Sequence, residues 1–109
     1  MCEMNDFIAS GRELVKYLED RGLRIEHTNA IDTPQNCIYL SNRTSFNWKS
    51  KNRIVRLNCK EEVNDTIERN TDLRAVSNGV GDTIRSWSFI IDNLNDLNKA
   101  IAAIMPMIQ

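Results

Sequence analysis

LRAVSNGVGDTIRSWSFIIDNLNDLNKAIAAIMPM, residues 73–107, carries the fold assignment. Within it Ser86-Trp87-Ser88-Phe89-Ile90-Ile91 alternates, with Trp87, Phe89 and Ile91 on one face, as in a half-buried strand. Leu94, Leu97, Ile101, Ile104 and Ile108 then recur every three or four residues and give a helix one continuous apolar stripe. Two such surfaces in succession are most simply buried against each other. Asn93 is the expected N-cap of that helix, Asp96 sits in its first turn, and Pro106 limits how far it continues. Before the strand, Asn78-Gly79-Val80-Gly81-Asp82 reads as a turn and 73–77 as a brief extended piece. The glycine pair is not a P-loop, since no Gly-Lys-Ser/Thr follows. Nor is it a dinucleotide fingerprint, which follows a strand and opens a helix. The stretch is core rather than active site.

Upstream, Glu61–Asn70 fits a short helix with acids at its start and only Val63 and Ile67 as an apolar stripe, which sets it at the edge of the core. Cys37-Ile38-Tyr39-Leu40, Ser45–Lys49 and 53–59 read as three strands joined by turns at 41–44 and 51–52, an antiparallel meander. Phe46 and Trp48 share one face of the middle strand. In the third, Val55, Leu57 and Cys59 point one way and Ile54, Arg56 and Asn58 the other. A loop rich in turn formers, 28–36, precedes the meander. The alternation at 23–26 suggests another short strand. Residues 6–21 form the first helix, with Asn5 or Asp6 as N-cap and Gly22 after its end. The fold class is therefore α+β: an antiparallel or mixed sheet of about five strands, with helices at both chain ends packed on one face.

The chain has 109 residues, enough for a single domain spanning 1–109 with one core. No apolar run approaches a membrane span, and the N-terminus has neither the basic nor the apolar part of a signal peptide, so the expected location is the cytoplasm. Cys2, Cys37 and Cys59 show no C-x-x-C spacing and read as free thiols. With the lone His27 they supply too few ligands for zinc, and no motif calls for a metal or cofactor.

Charge is more informative. The formal net charge is −1, yet no acid occurs between Asp32 and Glu61, where Arg43, Lys49, Lys51, Arg53, Arg56 and Lys60 fall. Tyr39, Phe46 and Trp48 interleave with these cations. Nucleic-acid binders combine cations for phosphate with flat rings for unstacked bases. Arg43, Phe46, Trp48, Lys49, Lys51, Arg53 and Arg56 are therefore the candidate binding residues, for nucleic acid or a nucleic-acid-associated protein. The same pattern also fits an acidic protein partner, or a solvated face with Phe46 and Trp48 in the core. Met105, Met107 and Ile108 offer a homodimer contact or an ordinary helix end. His27 has no nucleophile or carboxylate at a motif spacing. The acid pairs Glu19-Asp20, Glu61-Glu62 and Asp92 with Asp96 lack a nearby His, so no catalytic residue is expected.

Val76-Ser77-Asn78, a glycine turn, an alternating strand, Asp96-Leu97 at a helix start and an apolar helix to Ile104 follow one another in order. Phe46 to Leu57 supplies an aromatic strand, a basic turn and an apolar strand upstream. This order resembles a family of uncharacterised modules found at the C-terminus of restriction-type nuclease domains and of predicted transport proteins, related to small double-wing DNA-binding domains. The family's Gly-x-Gly just before the strand is absent at the ungapped position, where Gly79 and Gly81 stand in for it. The resemblance implies the fold more than the function; together with the residues above, it makes a non-enzymatic accessory module the expectation. A free-standing copy would serve as a regulator or, in mobile DNA, as an inhibitor of host defence that binds a protein.

Overall fold

The computed structural model describes residues 8–51, 53–80 and 85–108. Its elements follow in the order α1 (Gly11–Asp20), β1 (His27–Asn29), β2 (Cys37–Tyr39), β3 (Ser45–Lys49), β4 (Ile54–Cys59), α2 (Glu61–Asn70), β5 (Ser77–Val80), β6 (Arg85–Ile91) and α3 (Leu94–Ile108). The six strands form one sheet in the order β1-β2-β3-β4-β6-β5, and every neighbouring pair is antiparallel. The α+β expectation holds, and the meander at 37–59 is present as read.

Strand register separates two faces. Ile38, Phe46 and Leu57 stand in line across β2, β3 and β4, and Leu57 faces Phe89 on β6. Trp48, Val55 and Ile91 form a parallel row. All of these are 2 % exposed or less. They form one core with Leu14 and Leu18 of α1, Val63 and Ile67 of α2, and Leu97, Ile101 and Ile104 of α3. The helices thus cover a single face of the sheet. α2 is set deeper than its narrow stripe suggested, because Val63 and Ile67 are wholly buried.

Helix ends account for several departures from expectation. α1 starts at Gly11, not at residue 6, because Ser10 is its N-cap: the Glu13 amide donates to Ser10 Oγ at 3.2 Å. The Glu13 carboxylate in turn accepts from the Ala9 amide at 2.6 Å, a variant of the reciprocal Ser-x-x-Glu cap. Asn5 and Asp6, the expected caps, lie outside the described residues. For α3, Asn93 caps as expected, accepting from the Asp96 amide at 2.8 Å. The helix runs through Pro106 to Ile108. Its final carbonyls find partners in the β2–β3 turn, where Ser41 Oγ donates to the Ile108 carbonyl and Asn42 Nδ2 to that of Met107. Ile108 is buried, and Met105 and Met107 pack against the same core.

The strand expected at 23–26 lies instead at His27–Asn29. Leu23 is buried in an irregular approach, and only the Glu26 amide reaches the Tyr39 carbonyl. The strand also takes Thr28 and Asn29 from the expected loop. Of the turn expected at 78–82, Asn78, Gly79 and Val80 instead pair with β6; residues 81–84 lie outside the described residues. The exposed Arg12–Asp32 pair, at 2.6 and 2.8 Å, ties α1 to the loop before β2. Its guanidinium holds the Asp32 carboxyl below the usual carboxylate range, mainly through the hydrogen bond.

The β2–β3 turn stores backbone strain. Asn42 and Arg43 have φ of 58° and 56°, the left-handed pair of a type I′ hairpin. Asn tolerates this region, whereas Arg pays for its Cβ there. Arg43→Gly is expected to raise stability by up to about 1 kcal/mol, read as a higher urea midpoint at unchanged slope. A lower midpoint would show that the Arg43 side chain supports the fold.

Candidate functional site

No described element packs on the other face of the sheet. It presents His27 from β1, Cys37 and Tyr39 from β2, Ser45, Asn47 and Lys49 from β3, Ile54, Arg56 and Asn58 from β4, and Ser88 and Ile90 from β6. The central strands alternate half-buried with buried along their length, as one covered and one open face require. The six strands contain Lys49, Arg56 and Arg85 and no acid. The helices carry Glu13, Glu19, Asp20, Glu61, Glu62, Asp65, Glu68 and Asp96 against Arg12, Lys16, Arg69 and Lys99. The helices are therefore net acidic and the strands net basic.

Hydrogen-bonded side chains cross the open face. Ser88 Oγ donates to Asn58 Oδ1 at 2.7 Å, and Asn58 Nδ2 donates to Asn47 Oδ1 at 2.8 Å. Asn47 Nδ2 donates to Cys37 Sγ at 3.0 Å and to the Asn36 carbonyl. This ladder links four strands and holds its amides in one orientation. Beside it lies a recess of about 440 Å³, lined by Cys37, Asn47, Lys49, Arg56 and Asn58 and walled by Pro34, Gln35 and Asn36. At the β1–β2 edge, His27 stacks on Tyr39 with ring centroids 4.4 Å apart and planes 19° from parallel. The Tyr39 phenol is held above its ordinary range, chiefly by hydrogen bonding with the Cys37 side chain.

This geometry divides the residues singled out from sequence. Lys49 and Arg56 meet in the recess, and Lys51 and Arg53 are exposed in the turn beyond Lys49. Arg43 is exposed in the opposite turn, the length of β3 away, or about 17 Å. Phe46 and Trp48 are 0 % and 2 % exposed on the helix side and cannot meet a ligand on the cationic face. The basic-aromatic hairpin is thus corrected in its aromatic half. The rings on the open face are Tyr39 and His27, and the polar groups beside the cations are Asn47 and Asn58. Period-two alternation within 45–49 and 54–59 was the available signal for the two asparagines. The ring stack had none, because it depends on β1 pairing.

A larger cleft, about 800 Å³, lies between α2 and α3. Of the two cations in its lining, Lys99 is engaged by Asp72 at 3.1 Å and Asp96 at 3.8 Å, while Arg69 is exposed at the end of α2. The open face, where Lys49 and Arg56 stand on strands that carry no acid, is taken as the candidate site for an anionic ligand. Among the thiols, Cys59 is 1 % exposed, and burial, with Glu68 adding repulsion, pushes it up to about 12. It stays protonated and unreactive. Among the described residues, no group of three or more His, Cys, Asp and Glu side chains could hold a metal ion. Likewise, no helix there is long and apolar enough to cross a membrane. No protein-family model, curated protein or solved structure matches the chain.

Proposed function

We propose that this protein is a non-enzymatic binding module that engages nucleic acid, alone or within a nucleic-acid-handling complex, through the open face of its sheet. The observation that carries the reading is the recess, where Lys49 and Arg56 stand among oriented amides on strands that carry no acid. Such a surface attracts polyanions, and phosphate neutralisation by Lys and Arg supplies most of the affinity in non-specific complexes. The resemblance to double-wing-like modules points the same way and is part of this proposal.

Fluorescence anisotropy of labelled DNA and RNA across a salt series tests it. The double variant Lys49→Ala/Arg56→Ala is expected to bind about tenfold more weakly at low salt. Its log–log salt slope should fall by about 0.7–0.9 for each cation removed. Binding by the double variant equal to the parent would remove this face from consideration.

The acidic outer surfaces of α1 and α2 support a second reading, an inhibitor or adaptor that docks on a basic protein. It predicts no nucleic-acid binding at any salt. It also predicts capture of a partner that is lost on reversing Glu61 and Glu62 to Lys and kept in the Lys49→Ala/Arg56→Ala variant.

A further inference from the structure

We infer that the ligand of the open face is single-stranded nucleic acid, with an unpaired base stacked on the His27–Tyr39 ring pair and the neighbouring phosphates drawn by Lys49 and Arg56. The inference rests on the nucleic-acid reading above and adds the form of the ligand. Three observations lead to it.

The first is the ring pair. His27 is exposed, and its near-parallel stack on Tyr39 fixes both rings as a platform. A base can stack on such a platform only when it has left its own helix, so the feature is useful to a single strand and not to a duplex.

The second is position. Tyr39 faces Ser45, Ser45 faces Asn58, and Arg56 lies two residues further along β4. Strand spacing and rise put Tyr39 and Arg56 about 12 Å apart on one face. Between them runs the ladder of Asn47 and Asn58; both Asn47 N–H groups are committed within it, which leaves one Asn58 N–H as a donor and the second lone pair of each Oδ1 as an acceptor. Platform, amides and cations therefore follow one another along a single short track. An extended strand can meet them in turn, with base edges toward the asparagines.

The third is what the other surfaces lack. Duplex readers place a helix or a two-stranded ribbon in a groove. Here the helices turn their apolar sides to the sheet, and their exposed residues include Glu13, Glu19, Asp20, Glu61, Glu62 and Asp65 against Arg12, Lys16 and Arg69, an excess of acid that disfavours phosphate. Lys49 and Arg56 lie on a sheet face that carries no acid, where the half-buried strand side chains form a shallow floor.

The test uses the full chain with four labelled probes of equal length: oligothymidine, oligouridine, the thymidine strand in duplex form, and an abasic strand that keeps its phosphates. A pyrimidine strand is expected to bind about tenfold more tightly than the abasic strand, the effect of losing one or two stacked bases. The duplex should bind more weakly than the same strand alone. His27→Ala and Tyr39→Leu should weaken binding of the intact single strand while leaving the abasic strand unchanged. If Tyr39→Leu fails to fold, His27→Ala on the exposed side of the stack and the abasic probe carry the test. A duplex or abasic strand bound as tightly as the intact single strand would overturn this inference and leave phosphate binding standing. Failure of all four probes at low salt would overturn the nucleic-acid reading itself.

Discussion

Replacing Asn36 by Leu is expected to lower stability by about 3 kcal/mol, or the Tm by about 15 °C. Asn36 is 1 % exposed and stands just before β2, where the backbone ladder to β3 stops at Ile38 and Phe46. Its side chain continues the ladder in the backbone's place. Oδ1 accepts from the Trp48 amide at 2.8 Å, and Nδ2 donates to the Trp48 carbonyl at 3.2 Å. Nδ2 also donates to the Thr33 carbonyl at 3.2 Å, closing the loop onto itself. Leu matches Asn in approximate size and leaves these backbone groups buried without partners, at about 1–3 kcal/mol each. Gln35, exposed next door, provides the comparison: Gln35→Leu should change stability by less than about 0.5 kcal/mol. Urea unfolding of both variants measures the difference. Two similar midpoints would mean that the Asn36 amide does not serve as a strand partner.

Gly11→Ala should also destabilise, although Ala is favoured over Gly inside a helix by about 1 kcal/mol. Gly11 opens α1 and is buried where the helix meets the loop after β1. A Cβ there would stand 2.8 Å from the Ile31 carbonyl oxygen and 2.9 Å from Asn36 Nδ2. The first neighbour is backbone, and the second is tied to Trp48, so neither can move aside without breaking a bond that the sheet uses. Crowding of this kind costs about 1–3 kcal/mol, enough to reverse the helix preference. Melting by circular dichroism gives the sign directly. A gain near 1 kcal/mol, as for an unhindered helical glycine, would show that α1 does not approach the loop this closely. The two substitutions act on one junction, so their effects are expected to be non-additive. Because Asn36 also walls the recess, loosening this junction should disturb the open face as well.

The α+β class, four of the six strands, the extent of α2 and the cap of α3 were legible in the residues. Period-two and period-3.6 patterns record which side chains are buried, and burial is what stabilises these elements. Trp87, Phe89 and Ile91 lie on one face as their alternation requires. The start of α1 was legible too, in Ser10-Gly11-Arg12-Glu13, a capping signature that the longer apolar pattern from Phe7 obscured.

The candidate site was only half legible. Composition marked 43–60 as basic and aromatic, and alternation within each strand was visible. Neither states which side of a sheet receives the helices. That choice follows from register, because a slip of one residue exchanges the two faces of a strand. Packing of the three helices resolved it, sending Phe46 and Trp48 inward with Val55 and Leu57 and leaving Lys49 and Arg56 outside with Asn47 and Asn58. His27 joined Tyr39 across a three-residue strand whose local signal is weak and whose pairing partner lies ten residues downstream. Local propensity is written in neighbouring residues. Contacts between Asn36 and Trp48, Asn58 and Ser88, or His27 and Tyr39 arise from strand pairing across the chain, and they exist only once the sheet has formed.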